Sequence, residues 1–182
     1  MANVPFDEFL SDVLPNVPGV PTPMAISALR GACIEFCTDT LYWQESLDAE
    51  LVSAEDLPLQ VAVPSGAVLQ QVLTCRVDGR RVGVVTHDVL DGVTDWDTQR
   101  GAPSAFYMAD MYSIGLYPLP DAPVTVKTRA ALRPSQASSG VPDALYQFWL
   151  DVIAAGAKAR LMEMPNVGWS NPKLAEHFAA QF

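Results

Sequence analysis

The amino-acid sequence predicts an α+β fold in which a helical bundle frame carries an inserted small antiparallel β lobe. Two stretches with helical periodicity, 23–44 and 142–164, flank a central run whose apolar residues alternate as they do in strands. Shorter helical patterns near each end of the chain complete the frame. We therefore expect residues 1–46 and 135–182 to form the helical body and residues 47–134 to form the β lobe.

The two long helices are predicted to pack against each other. In the first, apolar residues recur at three- and four-residue steps and form one stripe. Gly31 and Ala32 leave room on this helix for a second helix to approach. The second helix has an apolar face and several alanines, and it ends at Pro165. A last helix, Lys173–Gln181, is expected after the capping sequence Ser170-Asn171-Pro172.

The central region is rich in Val, Leu, Tyr and Thr, and turn residues interrupt it at short intervals, which is typical of strands. Asp78-Gly79 predicts a two-residue hairpin, because both central positions of a type I′ turn need positive φ. The predicted strands are Leu47–Val52, Leu59–Val63, Ala67–Val77, Arg81–Thr86, Ala105–Ala109, Ser113–Tyr117 and Val124–Leu132.

The charge composition argues against two classes of function. The 182 residues include 11 Lys+Arg and 21 Asp+Glu, for a formal net charge of −10. Binding to nucleic-acid phosphates or to an anionic membrane surface relies on clustered cations, so neither is expected. The sequence predicts no signal peptide and no membrane span. Its three cysteines suit a reducing interior, such as the cytoplasm, as the place of synthesis.

The residues that carry chemistry form no complete catalytic or metal-binding pattern in the sequence. His87-Asp88 lacks a nucleophile motif and is interpreted as a turn. Cys33 and Cys37 are four residues apart, but their apolar surroundings favour a core role over a zinc site. The run from Asp91 to Asp97 lacks the final glutamate of a calcium loop. We therefore predict that the chain is not an enzyme and has no catalytic residues, cofactor or metal.

The order of several short motifs resembles the head–tail adaptor, or connector, proteins of tailed bacteriophages. The resemblance extends from Ala25 to Phe182, and its serial order carries more weight than any single motif. The motifs are Gly101–Tyr107, Ile114–Asp121, Ala130–Pro134, Val141–Asp143, Gly156–Leu161 and Met164–Ala175.

This resemblance implies a structural virion protein that forms a ring, twelvefold in the virion, at the head–tail interface. Its implied partners are further copies of the chain, the portal protein, and a tail tube or nozzle protein. DNA would pass through the lumen during genome ejection without sequence-specific binding. The C-terminal segment 172–182 is expected to act as a docking arm, with an interface formed by Trp169, His177, Phe178 and Phe182.

Two alternatives remain open at this point. The chain could instead be a tail-completion protein or a host-attachment or decoration module that uses its β lobe for recognition. Exposed aromatic side chains on one sheet face would favour that function, and the candidates are Phe106, Tyr107, Tyr112 and Tyr117. Phe178 and Phe182 could also pack against the helices of their own chain.

Overall fold

The structure is a computed structural model and describes residues 3–182. The helices in this range are α1 (Leu10–Val13), α2 (Thr22–Thr40), α3 (His87–Leu90), α4 (Asp143–Met162) and α5 (Pro172–Ala179). The strands are β1 (Asn3–Pro5), β2 (Gln44–Ser46), β3 (Glu50–Val52), β4 (Leu59–Gln60), β5 (Ala67–Val77), β6 (Arg80–Val84), β7 (Ala105–Met108), β8 (Ser113–Tyr117), β9 (Val124–Pro134) and β10 (Gly140–Pro142). Short 3-10 helices occupy Phe6–Phe9, Leu14–Asn16 and Ala54–Asp56.

The chain divides into two compact units. Unit 1 comprises Met1–Trp43, of which the structure describes the residues from Asn3, together with Ser65–Val68 and Arg133–Phe182. Unit 2 comprises Gln44–Pro64 and Leu69–Leu132.

In unit 1, α2 and α4 pack against each other, which confirms the predicted helix pair. Small residues make the close approach possible, since Ala32, Ala155 and Ala157 are buried. Gly31 accommodates the guanidinium group of Arg160, because a Cβ atom on this glycine would lie 3.0 Å from Arg160 Nη1. Arg160 then forms an ion pair with Glu35, one turn further along α2.

The N-terminal segment packs on the same helices. Strand β1 pairs with β10 in antiparallel register, with Val4 opposite Val141. Phe6 and Phe9 follow β1 and are buried, and the Phe9 ring meets Tyr146 of α4 edge-on with ring centroids 5.0 Å apart. Burial of these large rings, rather than helix propensity, holds the short helical turns of this segment in place.

Unit 2 is built on a curled sheet with the strand order β2-β9-β5-β6-β7-β8-β4, and β3 also pairs with β9. The described ladders of this sheet are antiparallel with one exception, since β6 and β7 run parallel with Gly83 opposite Ala105. Parallel neighbours need a long crossover connection. Residues 85–104 provide it here, and they include helix α3.

The hairpin predicted at Asp78-Gly79 is confirmed. Val77 lies opposite Arg80, so the loop between β5 and β6 has two residues. Asp78 and Gly79 have φ angles of 48° and 79°, as a type I′ turn requires. Asp78 also accepts a hydrogen bond from the backbone N–H of Thr125, at 2.8 Å, which ties the turn to strand β9.

The predicted fold class is wrong. The chain is a mixed α/β protein with about 29% strand and a curled sheet of seven to eight strands, not a helical bundle with a small antiparallel β lobe. The physical reason lies in the strand pairing. In the sequence the short strands suggest separate hairpins, but the parallel β6–β7 ladder and the position of β9 beside β5 join them into one sheet. Such long-range pairings leave no mark in local periodicity.

Candidate functional site

The four side chains expected at an interface lie in the C-terminal part of unit 1. Phe182 packs on α4, where a Cβ atom on Gly156 would lie 2.6 Å from its ring. Phe178 on α5 packs beneath Lys158 of α4, with Nζ 5.1 Å from the ring centroid. Both phenyl rings therefore contact helix α4 of their own chain.

His177 and Trp169 are placed differently from these two rings. His177 is exposed on α5, next to Phe178, and its Nε2 lies 3.1 Å from the side-chain nitrogen of Gln181. Trp169 is half-buried in the turn before α5, and its indole N–H finds no acceptor within residues 3–182. Asn171 caps α5 as the sequence predicts, because its side chain accepts a hydrogen bond from the Leu174 N–H.

The cysteines are buried thiols. Burial raises the pKa of Cys33 well above its ordinary value, raises that of Cys37 to about 12 and raises that of Cys75 to about 11. A thiol with such a pKa is protonated at neutral pH and is a poor nucleophile or metal ligand. Within the described residues, no group of three or more His, Cys, Asp and Glu side chains has an arrangement suited to a metal ion.

The four aromatic residues named as candidates for a recognition surface do not form one exposed sheet face. Phe106 is 3% exposed and belongs to the core of unit 2, and Tyr107 and Tyr117 are half-buried. Tyr112, in the turn between β7 and β8, is 45% exposed. The feature that would favour a sugar- or host-binding module is therefore not formed by these four residues.

An open groove of about 550 Å³ crosses one face of the sheet in unit 2. Three neighbouring strands supply its basic side chains: Arg76 from β5, Arg81 from β6, and Lys127 and Arg129 from β9. We call this surface the cationic groove. It gathers four of the 11 Lys+Arg residues of the chain.

The alternation of β9 explains why its cations face outward. Val124 and Val126 are buried, whereas Lys127 and Arg129 are exposed, as the two-residue period of a strand requires. Strand β2 adds Ser46, which lies opposite Arg129. Hydroxyl groups lie among the cations, and they come from Ser46, Thr74, Thr125 and Thr128.

The charges of the groove are not neutralised within the described part of the chain. Its lining there includes no Asp or Glu, and its cations form no ion pair with residues 3–182. Arg76 and Arg81 also lie directly opposite each other in the β5–β6 ladder. Like charges in this position destabilise a sheet, so an anion bound in the groove would relieve an unfavourable arrangement.

A second charged surface belongs to the same unit. We call residues 86–99, in the crossover between β6 and β7, the acidic segment. The segment has no Lys or Arg, and its exposed carboxylates are Asp88, Asp91, Asp95 and Asp97.

Aromatic packing gives the acidic segment a defined conformation. His87, Trp96 and Tyr107 form an edge-to-face cluster with ring centroids 5.0–5.9 Å apart. His87 Nε2 lies 3.2 Å from the carbonyl oxygen of Met108, and the Trp96 indole N–H donates to Asp91 at 3.3 Å. Burial and the nearby Asp97 carboxylate raise the pKa of Tyr107. The segment is thus a structured surface rather than an open loop.

Sequence reasoning missed the cationic groove, although parts of it leave a signal. A two-residue turn at Asp78-Gly79 places Arg76 opposite Arg81 once the hairpin is accepted. Lys127 and Arg129 are two residues apart on a predicted strand, which puts them on one face. The position of β9 beside β5, which joins the two pairs, has no local signal.

No helix in residues 3–182 is both long enough and apolar enough to span a membrane. Comparison with known proteins adds no assignment, since no family model matches the chain and no curated protein matches it.

Proposed function

We propose that the chain is a structural head–tail adaptor of a tailed bacteriophage, a subunit of a ring that joins the portal protein to the tail machinery. In this role it would reside in the neck of the virion and surround the channel through which the genome leaves. The ordered motifs from Gly101 to Ala175 support the proposal through their resemblance to such adaptors.

The observation that carries the proposal is the cationic groove. An acidic chain with a net charge of −10 gathers four unneutralised cations on a shallow sheet face of unit 2. A surface of this kind suits a protein contact, because complementary charge steers partners together and fixes their register. Assembly proteins depend on such contacts.

The test is the mass of the purified chain before and after mixing with the portal protein from the same genome. An adaptor should give a complex with about one copy per portal subunit, because such assemblies are symmetric. Absence of any complex at both low and physiological ionic strength would contradict the adaptor function.

Charge-reversed variants test whether the groove takes part in this assembly. We expect Arg81→Glu/Lys127→Glu to reduce the yield of the portal complex, since the exposed groove cations lose their attraction for an acidic surface. The matched control is Arg100→Glu/Lys173→Glu, which changes the net charge equally at exposed positions outside the groove. Equal yields from the two variants would remove the groove from the proposal.

A further inference from the structure

We propose that the cationic groove receives the acidic segment of a second copy of the chain, so that copies join head to tail. This inference rests on the proposed function, because it names the partner of the surface from which that function is inferred. It rests on the presence of two surfaces of opposite charge, the cationic groove and the acidic segment, on unit 2.

The charges of the two surfaces match in number and sign. The groove presents four cations and no carboxylate among the described residues that line it. The acidic segment presents four exposed carboxylates and no cation. None of these eight groups forms an ion pair within residues 3–182. Arg76 donates to the Gly79 carbonyl oxygen and Asp91 accepts from Trp96, and both keep further donors or acceptors for another molecule.

The acidic segment is also preorganised for binding. Helix α3 is closed by hydrogen bonds from the N–H groups of Val89 and Leu90 to the Thr86 carbonyl oxygen, each at 3.2 Å. Leu90 is 1% exposed and anchors the segment in the core of unit 2. A surface that is ordered before binding loses little conformational entropy when a partner docks, which favours association.

The two surfaces lie on different strands of the same sheet. The groove spans β9, β5 and β6, whereas the acidic segment packs on β7 through His87 and Tyr107. A contact between the groove of one copy and the acidic segment of the next is therefore heterologous. Contacts of this type leave an unused surface at each end until a ring closes, or they extend into a filament.

A nucleic-acid phosphate backbone is the main competing occupant, because arginines and hydroxyl groups also bind phosphates. The overall charge favours the acidic segment. A long polyanion would extend past the groove over the surface of a chain with net charge −10, where it would be repelled. A second copy also has a net charge of −10, but it would present four carboxylates to the four cations of the groove and keep its other charges outside the contact.

The experiment is sedimentation velocity of the chain alone, without portal protein, over a range of concentrations and salt. We expect concentration-dependent association at an ionic strength of about 0.01 M, where the Debye length is about 30 Å, and its loss at about 1 M, where it is about 3 Å. A chain that remains monomeric at low ionic strength up to the highest soluble concentration would overturn the inference.

Variants assign the association to the two surfaces. Arg81→Glu/Lys127→Glu and Asp88→Lys/Asp97→Lys should each weaken self-association by at least about tenfold, because reversing two of the four charges leaves the altered surface without a net charge. The four side chains are exposed and make no hydrogen bond within the described residues, so we expect both variants to fold. The control Arg100→Glu/Lys173→Glu should not weaken association, because Lys173 lies in unit 1 and a carboxylate at position 100 extends the acidic segment. Association that falls in the control as it does in the two variants would contradict the assignment.

Two further results separate this inference from the proposed function. If a fluorescein-labelled DNA oligonucleotide binds the unmodified chain but not Arg81→Glu/Lys127→Glu, and the chain does not self-associate, the groove binds phosphates and the inference fails. If the chain does not self-associate but the portal complex forms and depends on the groove, the adaptor function stands and only the choice of occupant is wrong.

Discussion

The two units use their basic side chains in opposite ways. In unit 1, Arg160 pairs with Glu35 across the α2–α4 contact, and Lys158 lies over the ring of Phe178. Arg30 donates to the Ser138 carbonyl oxygen at 2.9 Å and stacks over Phe6. In unit 2, the cations of the groove have no acidic partner within the described residues.

This difference separates charges that serve the fold from charges that have no acidic partner among the described residues. Each of these three cations, out of the five Lys+Arg residues of unit 1, links two segments that are distant in sequence. In the groove, Arg76 and Arg81 face each other and weaken the sheet slightly. The proposed contact with a partner would offset this cost to the fold.

The prediction with the largest expected effect tests the helix packing of unit 1. If burial between helices stabilises this unit, Ile153→Ala in α4 should lower the free energy of unfolding by about 2–5 kcal/mol. Ile153 is fully buried, whereas Phe148 on the same helix is 70% exposed. Urea denaturation followed by circular dichroism should show a much smaller loss for Phe148→Ala. Similar losses for the two variants would contradict the packing described for α4.

A prediction with a smaller effect compares an arginine that forms an ion pair in unit 1 with an arginine of the groove in unit 2. Arg160→Gln should lower the free energy of unfolding by about 0.2–1 kcal/mol, because it breaks a solvent-exposed ion pair. Arg81→Gln should leave that free energy unchanged or raise it by up to about 1 kcal/mol, because it removes a like-charge neighbour of Arg76. Denaturation of both variants at low ionic strength measures the difference, and a larger loss for Arg81→Gln would reverse the comparison.

The smallest effect concerns an aspartate that serves the fold of unit 2. Asp110 accepts hydrogen bonds from the backbone N–H groups of Tyr112 and Ser113, at 2.6 and 2.8 Å, and these bonds lower its pKa. A lowered pKa stabilises the folded chain above the usual aspartate value of about 4, and this contribution is lost as the pH falls through the folded-state pKa.

Asp110→Asn should therefore reduce the acid-induced decrease in stability, as measured by thermal melting between about pH 6 and pH 2. The control is Asp88→Asn, which removes the same charge from the acidic segment, where the carboxylate accepts no hydrogen bond within the described residues. A steeper acid dependence in Asp110→Asn than in the unmodified chain would contradict the assigned role of Asp110.

Local elements of the fold could be predicted closely from the sequence. The ranges of β5 and β8 match the predicted strands Ala67–Val77 and Ser113–Tyr117, and the turn at Asp78-Gly79 has the predicted type. The sheet as a whole could not be predicted, because the parallel pairing of β6 with β7 depends on how residues 85–104 fold back. That connection is held by burial of Leu90 and by the His87–Trp96–Tyr107 cluster, which are contacts between distant residues.

The same limit applies to the candidate site. Each half of the cationic groove follows from a local rule, the hairpin register for Arg76 and Arg81 and the strand period for Lys127 and Arg129. The two halves form one groove only because β9 lies beside β5, and no local rule predicts that position. The composition, with its excess of acids, gives no sign of a local cationic cluster, because a net charge is a sum over all surfaces of the chain.

Mixing the two charge-reversed variants is the most direct test of the head-to-tail contact. Arg81→Glu/Lys127→Glu carries the original acidic segment and an altered groove, whereas Asp88→Lys/Asp97→Lys carries the original groove and a segment with no net charge. Each variant alone should sediment as a monomer at low ionic strength. An equimolar mixture should recover association as mixed pairs, because the original groove of Asp88→Lys/Asp97→Lys can receive the original acidic segment of Arg81→Glu/Lys127→Glu. A mixture that remains monomeric under conditions in which the unmodified chain associates would contradict the pairing of the groove with the acidic segment.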